Sequence, residues 1–237
     1  MNAKDLGRAA DRSDRIEAAV LSVLRARACA ELPVVTLSWA QSAAGAIAAA
    51  GGAPTALSGP ASLALTHRLR GIHGAILVGI DTVLSDDPQL SVRLAAGPQP
   101  QPVVLDSRLR FPIHARLLAR LDRKPWIFHA GVAGAAAEEK LVRAGARLFP
   151  VAHSAAGLDL REVLRSLRAS GIESVMVEGG ARVLRAFMSL GLAAHAVITV
   201  SPSDITGVQG PGIPEFVSTV REPHDSDLVI WGSFAHG

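Results

Sequence analysis

The sequence predicts an α/β protein: a mainly parallel central sheet flanked by helices, with an antiparallel C-terminal edge strand. Three observations predict it. Short apolar runs bounded by turn residues, such as 75–78 and 102–106, recur along the chain and suit buried strands. Between them lie segments of helical period, clearest in Leu160, Val163, Leu164 and Leu167 at i, i+3, i+4 and i+7. Strand and helix signals alternate in this way over most of the chain, the pattern of parallel strands joined by right-handed crossovers.

Taken in order, Ser13 is expected to cap a helix that carries Ile16, Val20, Val23 and Leu24 on one face. A first strand is expected over 32–38. The alanine–glycine stretch 43–52 is too small-residued to pack as an ordinary helix. Pro60 suits a first helical turn, and Leu65, Leu69 and Ile72 form the buried stripe of a helix that returns to a strand over 75–78. Strands over 102–106 and 125–129, a helix over 134–144 and a strand over 147–151 precede the Leu160–Leu167 stripe. A strand over 173–178 then feeds a helix over 181–190, stopped by Gly191, and a strand over 196–200. The glycine- and proline-rich tail 201–227 reads as a long connection, and 228–234 as an apolar antiparallel edge strand.

Composition bounds what such a chain does. Its 237 residues at 49% apolar content support one large core, read as a single domain over 32–237 behind an N-terminal helical extension, 1–31. No apolar stretch reaches the ~20 residues of a membrane helix, and the first residues lack a signal-peptide pattern, so no membrane partner and a cytoplasmic location are expected. With aromatics at 4% and no tyrosine, a basic stripe with stacking rings is missing, which argues against nucleic acid. Cys29 is the single cysteine and the histidines make no ligand pair, so no disulfide and no metal site are expected; Cys29 itself reads as buried on a helix. The net charge of +3, carried mostly by arginines, suits a phosphorylated small molecule.

The chemistry concentrates where strands end. Parallel sheets collect ligands at the carboxyl ends of their strands, so 79–87, 106–110 and 178–182 should face one crevice. The first segment carries Thr82, Asp86 and Asp87, with Arg93 beyond. In the second, Ser107, Arg108 and Arg110 offer a hydroxyl and two guanidiniums fit for a ribose 2′-phosphate, beside the reading of ordinary solvated arginines. In the third, Glu178-Gly179-Gly180 before a helix suits a phosphate, because glycine lets the backbone approach and the helix amides attract an anion; a plain tight turn is the alternative.

Four blocks in sequence, PVVTLSWAQS, LSGPASLALTHRLRGIHGAILVGIDTVLSDDPQLSVR, PVVLDSRLRFP and SVMVEGGARVL, resemble the reductase domain of riboflavin biosynthesis, the RibD C-terminal domain, of dihydrofolate-reductase-like fold. The resemblance covers roughly residues 33–202. It implies an NADPH-dependent reductase that turns the ribosyl group of a diamino-pyrimidinone ribosylamine 5′-phosphate into a ribityl group. It also implies that Ala40, Thr82, Asp86, Ser107 and the run Gly180, Ala181, Arg182, Val183, Leu184, Arg185 and Ala186 touch the cofactor. Arg70, Leu90, Arg93 and Glu178 would touch the substrate, with Glu178 orienting or protonating it as the catalytic residue. Relatives of this family pair as dimers, so a homodimer is expected.

The chain departs from the family pattern at Ala44, where an aspartate is usual, at Ser38, where many carry lysine, and at Pro54-Thr55-Ala56, where a Ser-x-Trp pair is usual. Two further readings therefore stand beside the first: a reductase of the same fold acting on a pterin or another imine or carbonyl, and a catalytically silent nucleotide-binding relative. No zinc-deaminase pattern is present in the sequence.

Overall fold

Strands that are apolar on both sides need cover on both faces of their sheet, and the chain supplies helices for each. The computed structural model describes residues 3–50, 55–131, 134–154 and 157–235, with side chains from residue 15 onward. Helix α1 (Ala3–Ala26) leads to β1 (Val34–Ser42) and the short β2 (Ala46–Ala49). Then come α2 (Pro60–Ile72), β3 (Ala75–Gly79), α3 (Ile80–Asp86), β4 (Gln101–Leu105), α4 (Arg116–Ala119), β5 (Trp126–His129), α5 (Ala135–Arg143) and β6 (Arg147–Pro150). A small pair, β7 (His153–Ser154) and β8 (Gly157–Leu158), precedes α6 (Leu160–Ala169), β9 (Ser174–Gly179), α7 (Ala181–Ser189) and β10 (His195–Ser201). The chain closes with β11 (Gly207–Gln209), β12 (Ser218–His224) and β13 (Asp227–Ser233).

Nine strands form one sheet in the order β12-β13-β10-β1-β9-β3-β4-β5-β6. The strands from β10 to β6 are parallel; β13 runs antiparallel to β10, and β12 to β13. One face packs Ile16 and Val20 of α1 and Leu65 and Leu69 of α2 against Ile76, Val78, Met176 and Val197. The other face packs Val163, Leu164 and Leu167 of α6 and Leu184 and Phe187 of α7 against Leu37, Leu77, Val175 and Val177. The stripe at 160–167 is thus the buried face of α6, whose start is fixed by Asp159 accepting the amides of Arg161 and Glu162. Pro60 opens α2, and the Asp227 carboxylate accepts the Gly59 amide at 2.8 Å, pinning that turn to the β12–β13 hairpin.

Several expectations need correcting. Helix α1 begins at Ala3 and runs through position 13, so Ser13 is not its cap. Cys29 is exposed in the turn after α1, because the helix stops at Ala26 and carries it past the apolar face. The first strand is longer than expected and reaches Ser42. Residues 80–86 are helical: Ile80 and Val83 are buried, and α3 follows β3 without a loop. The small-residue stretch holds β2, which pairs with β11, so the tail is not one irregular connection; Gly51, Gly52 and Pro54 lie outside the described residues. Strand β13 is antiparallel as expected, yet β12 pairs along its whole length, so β12 and not the last strand is the edge. No helix among the described residues is long and apolar enough to cross a membrane.

Candidate active site

Strands β1, β9, β3 and β4 are neighbours and parallel, so their carboxyl ends share one rim of the sheet. That rim carries Ala40 on β1, Glu178 and Gly179 on β9, Gly79 at the end of β3 and Ser107 just beyond β4. The tips are joined by contact. Asp81 of α3 accepts from Arg110 at 2.7 Å and from Arg182 at 3.0 Å, tying the ends of β3, β4 and β9 together. Thr82 faces the glycine pair, since a Cβ on Gly179 would stand 3.1 Å from its Oγ1. Gly180 has φ +75°, a conformation side chains resist, and lets β9 turn directly into α7.

At the start of α7 the first in-helix bond runs from the Leu184 amide to the Gly180 carbonyl, and no side chain caps the helix. The amides of Ala181, Arg182 and Val183 therefore stay open at the positive end of the helix, the arrangement that holds a phosphate or diphosphate. Leu184 is fully buried in the core and Ala186 packs against it, so these two turn away from the rim. The Arg185 guanidinium donates to the carbonyls of Gln209 and Gly210 at 2.9 and 2.7 Å and so clasps the tail. Of the expected cofactor run, Gly180, Ala181, Arg182 and Val183 stand at the rim. The end of β3 and α7 meet closely there: a Cβ on Gly79 would lie 2.9 Å from Val183 Cγ2. Gly79→Ala is expected to push α7 off β3, costing roughly 1–3 kcal/mol, which thermal melting checks.

On the other side of Glu178 stands an arginine system. Arg70, in the last turn of α2, donates from Nε to Glu178 Oε1 and from Nη2 to Oε2, both at 2.6 Å. Both side chains are about nine-tenths buried. Burial works against the Arg70 charge, but the Glu178 carboxylate overrides it and holds the guanidinium above its ordinary range. Both carboxylate oxygens of Glu178 accept from one partner, an orienting arrangement. The loop beyond α3 is held one residue at a time. Arg120 donates to the carbonyls of Gln89 and Leu90, Arg70 to that of Ser91, and Gln99 exchanges two bonds with Val92. His67 Nδ1 accepts the Arg93 amide at 3.1 Å. Accepting there requires a neutral imidazole, and burial, then the charges of Arg70 and Arg93, lower the His67 pKa to about 4.

This clamping holds a strained backbone. Leu90 (φ +46°) and Leu109 (φ +50°) both sit in the left-handed region that bulky residues avoid, at a cost of roughly 1–3 kcal/mol each. Leu90 and Arg93 line a pocket of about 240 Å³ together with Arg70, Asp86 and Arg116. Asp86 therefore faces the Arg70–Arg93 side of the rim. Asp106 is fully buried; burial raises its pKa against the amides of Phe111, Arg108 and Arg110, which face its oxygens without closing bonds of standard geometry. It supports the Leu109 turn, leaving Ser107, Arg108 and Arg110 as the groups on the outside.

His67, Asp81, Gln99, Arg116 and Arg120 were not among the expected site residues. His67 alone had a readable signal: it lies three residues before Arg70, on the same face of α2. Gln99 and Arg120 act through backbone groups of distant segments and Asp81 through the guanidiniums of Arg110 and Arg182, which no local pattern reveals.

A parallel sheet whose rim pairs an open helix N-terminus with a cationic pocket around an acid has the groups to receive a phosphate at one place and a second anion at the other. Residues 33–218 match the family described as RibD C-terminal domain, and the chain belongs to that family. It is 35% identical over 198 residues to the 2,5-diamino-6-ribosylamino-4(3H)-pyrimidinone 5′-phosphate reductase of Methanothermobacter thermautotrophicus, covering 80% of this chain and 89% of that protein. To the riboflavin biosynthesis protein RibD of Aquifex aeolicus it is 32% identical over 184 residues, 77% of this chain but 49% of that protein, so it spans about half of that longer relative. Among solved structures, the riboflavin biosynthesis reductase Rib7 of Saccharomyces cerevisiae shares the fold with a TM-score of 0.70 at 23% identity, over 86% of this chain and 91% of that one.

Proposed function

We propose that this chain reduces the ribosyl group of a pyrimidinone ribosylamine 5′-phosphate to a ribityl group, with NADPH as the hydride donor. The observation that carries the reading is the placement of the Arg70–Glu178 pair between the open start of α7 and the pocket lined by Arg93. Identity of 35% to a reductase of that substrate over four-fifths of the chain supports it.

The rim fits a dinucleotide. Gly180 has no side chain to block approach, the amides of Ala181, Arg182 and Val183 lie open, and Thr82 stands across from the glycine pair. Those groups would hold the diphosphate. Ser107 and Arg108, beyond β4, are the groups we assign to the ribose and to a 2′-phosphate, which favours NADPH over NADH. When bound, the cofactor supplies a hydride to the sugar C1. The chain's own residues supply position: Arg93 and Leu90 hold the phosphorylated end, and the fixed Glu178 carboxylate accepts hydrogen bonds from sugar hydroxyls or the amine nitrogen. The ribosylamine opens to a C1=N imine, C1 takes the hydride, and the nitrogen gains a proton, leaving the ribityl amine.

Glu178→Gln keeps the shape of the pair but removes its charge. NADPH oxidation with the diamino-pyrimidinone phosphate is expected to fall roughly 100-fold or more while NADPH affinity stays within about twofold. Unchanged turnover would remove Glu178 from the chemistry. Failure of the wild-type protein on this substrate, with turnover on a pterin or another imine, would replace the substrate assignment.

A further inference from the structure

We propose that Arg116 completes, with Arg70 and Arg93, a receptor for a dianionic phosphoryl group, and that this third arginine sets the preference for phosphorylated over unphosphorylated substrate. The inference rests on the reading that the 88–93 side of the rim receives the substrate.

The pocket holds more positive charge than its acids balance. Arg70 is committed to Glu178, and Asp86 is the one acid in the lining. Neither the Arg93 nor the Arg116 guanidinium forms an ion pair or hydrogen bond among the described residues. They are close enough to disfavour one another: burial, then Arg70, then Arg116 lower the Arg93 pKa. Like charges gathered without counter-charge are unfavourable until an anion arrives, and a dianion offers several oxygens to guanidinium forks at once.

The backbone under Arg116 is fixed for such a task. Its amide donates to Asp87 Oδ1 at 2.8 Å, and Asp87 is itself held in the left-handed region at φ +40°. Ala115 and Leu117 on either side are buried. The main chain is therefore anchored while the exposed Arg116 side chain lines the pocket. About 240 Å³ is below the ~300–1,000 Å³ of clefts that enclose a whole drug-sized ligand, so it suits one end of a substrate, a phosphoryl group with part of its sugar.

The test compares the full chain with Arg116→Gln and Arg116→Lys. Substrates are the ribosylamine 5′-phosphate and its dephosphorylated form, and ribose 5-phosphate binding is measured by calorimetry against ribose. Arg116→Gln is expected to raise KM for the phosphorylated substrate roughly 10- to 100-fold with kcat within about threefold, and to weaken ribose 5-phosphate binding similarly. The loss should be confined to phosphorylated ligands, and Arg116→Lys should recover part of it. An equal loss on both substrates, or none, overturns the receptor even if the wild-type protein reduces the pyrimidine. Conversely, Arg116-dependent binding of ribose 5-phosphate by a protein that reduces no pyrimidine keeps the receptor and ends the substrate assignment.

Discussion

Arg70→Met is expected to lower the melting temperature by roughly 10 °C and to abolish turnover. The substitution removes three donated hydrogen bonds, two to Glu178 and one to the Ser91 carbonyl, and leaves a carboxylate about nine-tenths buried without its counter-charge. Stranding one partner of a buried pair costs ~3–5 kcal/mol, and a protein of this size loses ~2–4 °C per kcal/mol. Replacing both partners, as Arg70→Met with Glu178→Leu, removes the stranded charge; most of the stability should return while activity does not. That split separates what the pair does for the fold from what it does for the substrate. A single variant as stable as the double would mean that Glu178 finds solvent or another partner once Arg70 is gone.

The elements legible in the sequence are those whose burial is complete. Strands β3, β4 and β9 are nearly wholly buried, and α6 shows all four residues of its stripe inside, so apolar runs and helical period reported them directly. Strand β12 was illegible because it is an edge: five of its seven residues are exposed, it contains Pro223, and its hairpin turns through Asp225 and Ser226 without the glycine that marks such turns. Helix α3 leaves no helical signal in the sequence because its outer face is polar and only Ile80 and Val83 anchor it. Propensity says little about so short a helix when tertiary packing supports it.

The site was legible in its strand ends and obscure in its supports. Thr82, Glu178 and Gly180 sit at the ends of apolar runs, where topology forces side chains to a rim whatever the loops do. Arg182 and Arg185, three residues apart on one helix, have different ends: one is tied to Asp81 and the other to the tail carbonyls. Which arginine is structural depends on segments far off in sequence, and so does the clamping of Gln89 and Leu90 by Arg120. The resemblance carries Leu184 into the expected cofactor run, while the helical period places its side chain in the core with Phe187.

Below neutral pH the protein is expected to lose stability through a histidine line under α2. The Leu69 carbonyl can only accept, so His73 Nδ1 carries the hydrogen of that 2.7 Å bond, and its Nε2 must accept from Thr36 Oγ1, also at 2.7 Å. The hydroxyl of Thr36, having donated its hydrogen, accepts from His195 Nε2 at 2.9 Å. The direction requires a neutral His73, whose Nε2 must accept; His195 donates from Nε2 in either state, and it is burial that keeps its ring neutral. Burial is the main cause that lowers His73 to about 4 and His195 to about 3, the second ring being pushed further by His73 and Arg27. Both folded values lie below the ordinary 6.5, so as pH falls through 6.5 the unfolded chain takes up protons that the folded protein refuses. Each ring then removes ~1.4 kcal/mol of stability per pH unit until its folded value is reached. Asp106, raised by burial, acts in the opposite direction and offsets part of this. Urea midpoints measured from pH 7 to pH 4.5 should fall steeply below about 6.5; replacing His195 with glutamine should flatten the fall. A wild-type midpoint that holds level across that interval would show that both rings charge in the folded state and that His73 Nε2 does not accept from Thr36.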